Sequence, residues 1–189
     1  MSAAGSLARP AHDPAVIRVD DEIELIPIHS GFAEAIAEHA ERDRERMARW
    51  LPWVERGRTA DDARAFIATV EERRALDRGE CYAIVVKEDF AGAVDIHDVN
   101  REHDVAAVGY WLGSIFGGRG IMTRAVRATT ERAFSRHRIH RLELYTSVDN
   151  KPSRGVAERA GFTLEAILRE RLWSPNGHDD AALYVRLAR

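Results

Sequence analysis

Thiols are almost absent from this chain of 189 residues: Cys81 is its one cysteine. A lone cysteine excludes an intrachain disulfide framework and a zinc cluster built on several thiolates. Nothing near Cys81 lowers its pKa, so a buried structural thiol is expected. Long apolar runs are missing too. No stretch approaches the ~20 uncharged residues of a membrane-spanning helix, and residues 1–14 lack the sustained apolar core of a secretory leader. These absences predict a cytoplasmic protein that engages no membrane. Lysine is scarce, with Lys87 and Lys151 against 26 arginines, and asparagine numbers three against 29 alanines. That bias runs through the whole composition, so the arginines are not read as a phosphate-binding design. A net charge of −3 argues against a nucleic-acid partner, which calls for a basic face. The histidines show no metal-binding spacing such as H-E-x-x-H, so no metal is expected.

What is present is 45% hydrophobic and 31% charged residues, the balance of a soluble globular protein. Residues 1–14, small and polar with Pro10 and Pro14, read as a flexible tail, and 15–189 as a single domain. Val16–Val19 and Glu22–Ile28 predict a hairpin about Asp20-Asp21. Ser30 is placed to cap a helix bearing Phe32, Ile36 and Ala40, continuing through Arg49 until Pro52 breaks it. Thr59 and Asp62 form a capping-box pattern ahead of a helix burying Ala63, Phe66, Ile67 and Val70, with Gly79 as terminator. Cys81–Val86, Ala91–Ile96 and Val105–Leu112 predict an antiparallel meander. A glycine turn follows, then a helix with Met122, Val126, Thr129 and Ala133 on one stripe. Arg141–Val148 is the next strand and Lys151–Ala160 a short helix. Phe162–Leu168 and Ala181–Leu187 are closing strands about an Asn176-Gly177 turn. The strand–helix–strand crossover in the middle demands a parallel pair. The fold class is therefore mixed α/β, a mostly antiparallel sheet covered by helices.

Two segments carry chemistry. In the first, a buried strand ending Gly109-Tyr110-Trp111-Leu112 runs into Gly117-Gly118-Arg119-Gly120 and a helix. Free N–H groups at such a helix start, with the helix dipole, make an anion site, and glycines permit close approach. The spacing is neither the dinucleotide fingerprint nor the P-loop, and the P-loop lysine is missing. A mere tight turn explains the stretch as well when it is read alone. The second segment, Asp149-Asn150-Lys151-Pro152-Ser153, sits at the carboxyl end of the neighbouring parallel strand, where ligands of open α/β sheets gather.

Together with Trp50-Leu51-Pro52-Trp53, Gly118-Arg119-Gly120-Ile121-Met122-Thr123 and Val156-Ala157-Glu158-Arg159-Ala160-Gly161-Phe162, these motifs resemble the GCN5-related N-acetyltransferases (GNAT). More narrowly, they are similar to the bacterial branch that acetylates serine or alanine N-termini of ribosomal proteins. The resemblance covers roughly Glu22 to Leu187. It implies a GNAT fold with a central splayed parallel strand pair that binds CoA, and acetyl-CoA as co-substrate. It implies that backbone groups of Trp111 and Leu112 pair with the pantetheine. It further implies that Gly117, Gly118, Arg119, Gly120, Ile121 and Met122 hold the pyrophosphate. Asn150 contacts the pantetheine, and Ser153 lies near the thiol. Three positions depart from the pattern. Ile115 stands where the family's loop begins with Gln or Arg. Ala157 replaces the broad family's acidic tyrosine, which leaves Ser153 to assist the departing thiolate. Leu172 stands where some members of the branch carry a glutamate base, with Glu170 two residues before it.

Acyl transfer to an amine needs a neutral amine, a polarised carbonyl and a route for protons. An α-amine (pKa ~7.7–8.0) is far more often neutral near pH 7 than a lysine side chain (~10.4), so an N-terminal or small amine demands less of a base. Asp95 and His97 share one face of their strand and are the first candidates for that base and for the acceptor site, with Glu170 the alternative. Trp50, Trp53 and Trp173 are candidate acceptor walls, for a peptide terminus or a flat aromatic amine, or else ordinary core. The expected partner is thus a small-molecule amine or a protein N-terminus, and association into a homodimer stays open. A non-catalytic CoA-binding module, or an enzyme using a longer acyl-CoA such as succinyl-CoA, are the alternatives.

Overall fold

The computed structural model describes residues 15–175 and 177–188; the expected N-terminal tail and Asn176 lie outside that range. Strands β1 (Ile17–Arg18) and β2 (Ile23–Pro27) form the expected antiparallel hairpin. Asp20 closes it: one carboxylate oxygen accepts the amides of Glu22 at 2.9 Å and Ile23 at 3.0 Å, an aspartate turn. The next cap differs from expectation. His29, not Ser30, is the capping residue, its ring accepting the Gly31 amide ahead of a short 3₁₀ turn. Helix α1 (Ala33–Arg42) then stops at Asp43, and α2 (Arg44–Ala48) restarts, so the expected continuous helix is broken. Its cause is Asp43, whose carboxylate accepts the Ser114 amide and hydroxyl, each at 2.6 Å. A short α3 (Trp53–Arg56) starts after Pro52.

Helix α4 (Ala60–Ala75) opens with the Thr59/Asp62 capping box. Phe66 departs from expectation: it is 47% exposed, while Ala63, Ile67 and Val70 are buried. Asp77, in the left-handed region at φ 53°, turns the chain out of α4 in place of Gly79. Gly79 serves a different need, since a Cβ there would lie 2.3 Å from the Ile96 carbonyl oxygen.

Strands β3 (Glu80–Val86), β4 (Asp89–Asn100) and β5 (Val105–Leu112) make the meander. Lys87 and Glu88, both at positive φ, form the two-residue turn that matches strand twist. Then come α5 (Ile121–Ser135), β6 (Arg141–Ser147), α6 (Lys151–Arg159), β7 (Thr163–Ser174) and β8 (Gly177–Leu187). All eight strands join one sheet, ordered β1-β2-β3-β4-β5-β6-β8-β7. One face packs Val94, Ile96, Ala106 and Val108 against Ile121, Met122, Ala125 and Val126 of α5. The other packs Ala83, Val85 and Ala93 against Ile36, Ile67 and Val70 of α1 and α4.

β5 and β6 are the parallel pair, and they pair only through Val105↔Arg141, Ala106↔Leu142 and Ala107↔Glu143. Beyond these, each strand stays with its antiparallel neighbour: β5 with β4 out to Leu112, and β6 with β8 out to Ser147. The sheet therefore opens as a wedge at the carboxyl ends of β5 and β6. This is the splayed pair that the resemblance implies.

Candidate active site

A cleft of about 180 Å³ fills the wedge, with Tyr110, Leu144, Asn150 and Ser153 among its lining residues and Trp50 and Trp173 at the same opening. Asn150 caps α6 by accepting the Ser153 amide at 3.2 Å, which orients the first turn of that helix toward the wedge. The Tyr110 hydroxyl lies within hydrogen-bond distance of both the Ser153 carbonyl, at 3.1 Å, and Ser153 Oγ, at 2.9 Å. Burial pushes the Tyr110 phenol up to about 12, against the opposing effect of its Ser153 hydrogen bond. The sequence motif contains Tyr110 but assigns it no role. Its signal was its place two residues before Leu112, on the face opposite Trp111.

The glycine turn follows the carboxyl end of β5 in the chain. A 3₁₀ turn (Ser114–Phe116), pinned by Asp43, leads into it. Burial raises the Asp43 pKa, but the Ser114 bonds and Arg46 outweigh that and hold it below the usual carboxylate range. Gly118 and Gly120 sit at φ 74° and 70°, and a Cβ on either would meet nothing within 4 Å. The turn is thus an open cradle that requires glycine for its backbone, not for space. Gly120 offers no capping side chain, and the Arg124 amide is the first to reach back to its carbonyl, at 3.1 Å. The amides before it are left for an anion. Arg119 is exposed on this turn, whereas the Ile121 and Met122 side chains are buried in the core. Those two residues can offer a ligand only their backbone. The Leu112 carbonyl is engaged by Arg46 at 2.8 Å, an anchor of α2 on β5 that the sequence pattern did not reveal.

A second cavity, of about 520 Å³, lies on the α1/α4 face and shares Leu51, Gly109 and Tyr110 with the wedge cleft. Trp53, Trp111 and Asp95 line it. The three candidate tryptophans are therefore divided: Trp50 and Trp173 at the wedge, Trp53 in the second cavity. Asp95 and His97 come together, Nδ1 lying 3.4 Å from a carboxylate oxygen. Gly109 stands opposite Asp95 in the register, and a Cβ there would press within 2.7 Å of its carboxylate and 3.1 Å of the His97 ring. Burial disfavours the His97 cation, but Asp95 and then Asp98 outweigh it and raise its pKa above the ordinary value. Glu170 lies on an outer bulge of β7 at φ 50°, its amide bound to Asp180 at 2.9 Å. It lines neither cavity, whereas Leu172 lines the wedge. Cys81 is buried and its thiol pushed well up, first by burial and then by Asp95. Among the described residues, no group of three or more His, Cys, Asp or Glu side chains is placed to hold a metal ion, and no helix is long and apolar enough to cross a membrane.

Residues 22–163 match the acetyltransferase (GNAT) domain. The chain belongs to the GNAT acetyltransferase family. This GNAT protein is 29% identical over 173 residues to YdaF of Bacillus subtilis (strain 168), covering 91% of this chain and 94% of that one; the name of YdaF assigns it provisionally to ribosomal N-acetylation. It is 22% identical to the ribosomal-protein-serine acetyltransferase of Escherichia coli (strain K12), over 90% and 96% of the two chains. Among solved structures it superposes on the microcin C7 self-immunity acetyltransferase MccE, a complex with acetyl-CoA and AMP. That match has a TM-score of 0.87 at 26% identity, over 93% and 98% of the chains. It shares its fold, with a TM-score of 0.88 at 23% identity over 91% and 97%, with RimL, a ribosomal L7/L12 α-N-protein acetyltransferase in complex with coenzyme A.

Proposed function

We propose that this GNAT acetyltransferase moves an acetyl group from acetyl-CoA to a primary amine by direct attack, with both substrates bound at once. The observation that carries this reading is the meeting of two clefts at Gly109 and Tyr110, one bearing Ser153, the other Asp95. The residues fit acetyl-CoA: the uncapped helix start behind Gly118 and Gly120 suits a pyrophosphate, and the wedge suits an extended pantetheine arm. Bound there, acetyl-CoA supplies an acetyl group activated as a thioester.

The protein's own groups do the rest. Asp95, with His97 beside it, takes the proton of the incoming ammonium directly or through one water. The freed amine forms the new C–N bond as the C–S bond breaks, the sulfur leaves as a thiolate, and the second proton of the nitrogen, acidic once that bond has formed, is lost to water. Ser153 donates a hydrogen bond to that sulfur. Tyr110, its phenol pushed up to about 12, keeps its proton against a thiolate of pKa ~8.5, so it positions Ser153 and does not protonate the product. Relatives named for ribosomal-protein acetylation support a protein N-terminus as acceptor, and a small amine is the other class. A thiol-release assay with acetyl-CoA, run over N-terminal peptides and small amines, tests the reading, and succinyl-CoA in parallel tests the donor. Amine-dependent release is expected. A protein that binds acetyl-CoA by calorimetry yet releases no thiol with any amine is a CoA-binding module instead.

A further inference from the structure

The cavity on the α1/α4 face is built mostly of apolar wall. At about 520 Å³ it lies within the ~300–1,000 Å³ of small-molecule sites. Trp53 and Trp111 stand with ring centroids 5.9 Å apart at 57°, and Ile36, Ala40 and Ala63 complete the sides. Phe66 is 47% exposed and lines the cavity. That placement explains why an aromatic ring on α4 points away from the helix's buried stripe. Three charged residues line the same space: Arg56, Asp62 and Asp95. Arg56 is an exposed residue of α3. Asp62 is committed to the capping box, accepting the Thr59 hydroxyl at 2.8 Å and the amides of Arg58 and Thr59 at 3.0 Å. Asp95 remains. Its side chain is 22% exposed, its charged neighbour is His97, and it lies on the sheet beside Gly109, where the two clefts join.

We infer that the acceptor is a primary amine carried on an apolar, aromatic group, the ring held between Trp53, Trp111 and Phe66 and the ammonium meeting Asp95. The inference rests on the acetyl-transfer reading and adds the acceptor's chemical class. A polar acceptor would lose its water against these walls without gaining hydrogen bonds. An aromatic one gains offset and edge contacts with three rings. Asp95, unlike Asp62, is not tied to the backbone; with His97 beside it, it stands where an ammonium must lose its proton, next to the strand that borders the donor cleft.

The test pairs 2-phenylethylamine with ethanolamine, and a Phe-initiated dipeptide amide with its Ser-initiated counterpart. Binding is read by calorimetry on the CoA-saturated protein, and turnover by thiol release. The phenyl member of at least one pair is expected to exceed its hydroxyl partner by ~10²-fold in kcat/KM, as apolar pockets discriminate. Preference in the amine pair alone identifies small amines as the source, and preference in the dipeptide pair identifies a protein N-terminus. Trp53→Ala is expected to cut that ratio at least ~10-fold while the acetyl-CoA KM stays put. Phe66→Ser, at an exposed position, must shift the ratio in the same direction without a buried hole. Equal binding and turnover of phenyl and hydroxyl members overturns the inference, and any amine-dependent release then leaves the acetyl-transfer reading standing. Binding of acetyl-CoA with no thiol release from any amine brings down both.

Discussion

The Tyr110 hydroxyl lies 2.9 Å from Ser153 Oγ, tying β5 to α6 across the wedge at the point where the parallel pair has come apart. Ser153→Ala should lower kcat ~10-fold or more, since a hydrogen bond to the leaving thiolate contributes less than the ~10²–10⁴-fold of full proton transfer. Tyr110→Phe should lower it less and leave the acetyl-CoA KM near wild type. Because burial holds the phenol near 12, neither change should add or remove a limb of the pH profile between 6 and 10. Wild-type kcat in Ser153→Ala at saturating substrates would reduce the hydroxyl to a structural role.

The glycine turn predicts a binding defect without a folding defect. Gly118 and Gly120 have open space about them and left-handed backbones, so a side chain there costs about 1–2 kcal/mol in conformation and also fills the cradle. Gly118→Leu and Gly120→Leu should each weaken acetyl-CoA binding at least ~10-fold by calorimetry. Affinity equal to wild type would move the pyrophosphate elsewhere.

The Asp95/His97 pair sets the acid limb. His97 is raised above its ordinary value, with burial opposed and outweighed by Asp95 and Asp98. It therefore stays protonated to a pH above ~6.5, and as a cation it engages the Asp95 carboxylate that must take the ammonium proton. The kcat/KM profile should rise through a pKa above that value. His97→Ala should remove this limb, and Asp95→Asn should lower the rate. A second limb near ~8 belongs to an α-amine itself. Profiles unaltered in both variants, with rate lost in Glu170→Gln, would transfer the role to Glu170 and require β7 to move inward.

Far from the site, Glu80 is buried between Arg132 at 3.2 Å, Arg136 at 3.4 Å and His137 at 3.0 Å, with the Tyr82 hydroxyl donating to it. Burial works to raise its pKa, but His137, Arg132 and Tyr82 overcome that and leave it strongly depressed. A depressed carboxylate contributes its stability above the unfolded value of ~4.3 and loses it as pH falls below that toward the folded value. Glu80→Ala should lower stability by about 3–5 kcal/mol at pH 7, and the difference from wild type in denaturant melts should narrow below pH 4. A constant difference down to pH 2 would show that the ion cluster contributes nothing.

The local sequence pattern determined much of this architecture. The apolar runs of β3 to β5, bounded by polar turns, located the meander to within a few residues. Thr59 and Asp62 marked the start of α4, and the Gly117–Gly120 run marked the open turn. Each depends on neighbours in the chain: an apolar run between polar turns marks a strand, a capping pair closes its own helix start, and positive φ selects glycine. Where a distant residue competes, the pattern failed. His29 took the cap from Ser30, Ser114 pulled Asp43 out of the helix, and Phe66 left the buried stripe to line a cavity. The second half of β7 was illegible because Arg169, Glu170 and Arg171 erase alternation on an edge strand that water reaches.

The sequence by itself determined where β3 to β6 and α4 to α6 begin, that one strand pair must run parallel, and that a glycine turn follows the strand ending at Leu112. Only the tertiary structure decided that β5 and β6 part after three residue pairs, that Tyr110 meets Ser153, that Trp53 faces one cleft while Trp50 and Trp173 face the other, and that Glu170 stays outside both. The physical reason is separation along the chain. The wedge opens because β5 holds to β4 and β6 holds to β8, a competition between pairings that no local run of residues encodes.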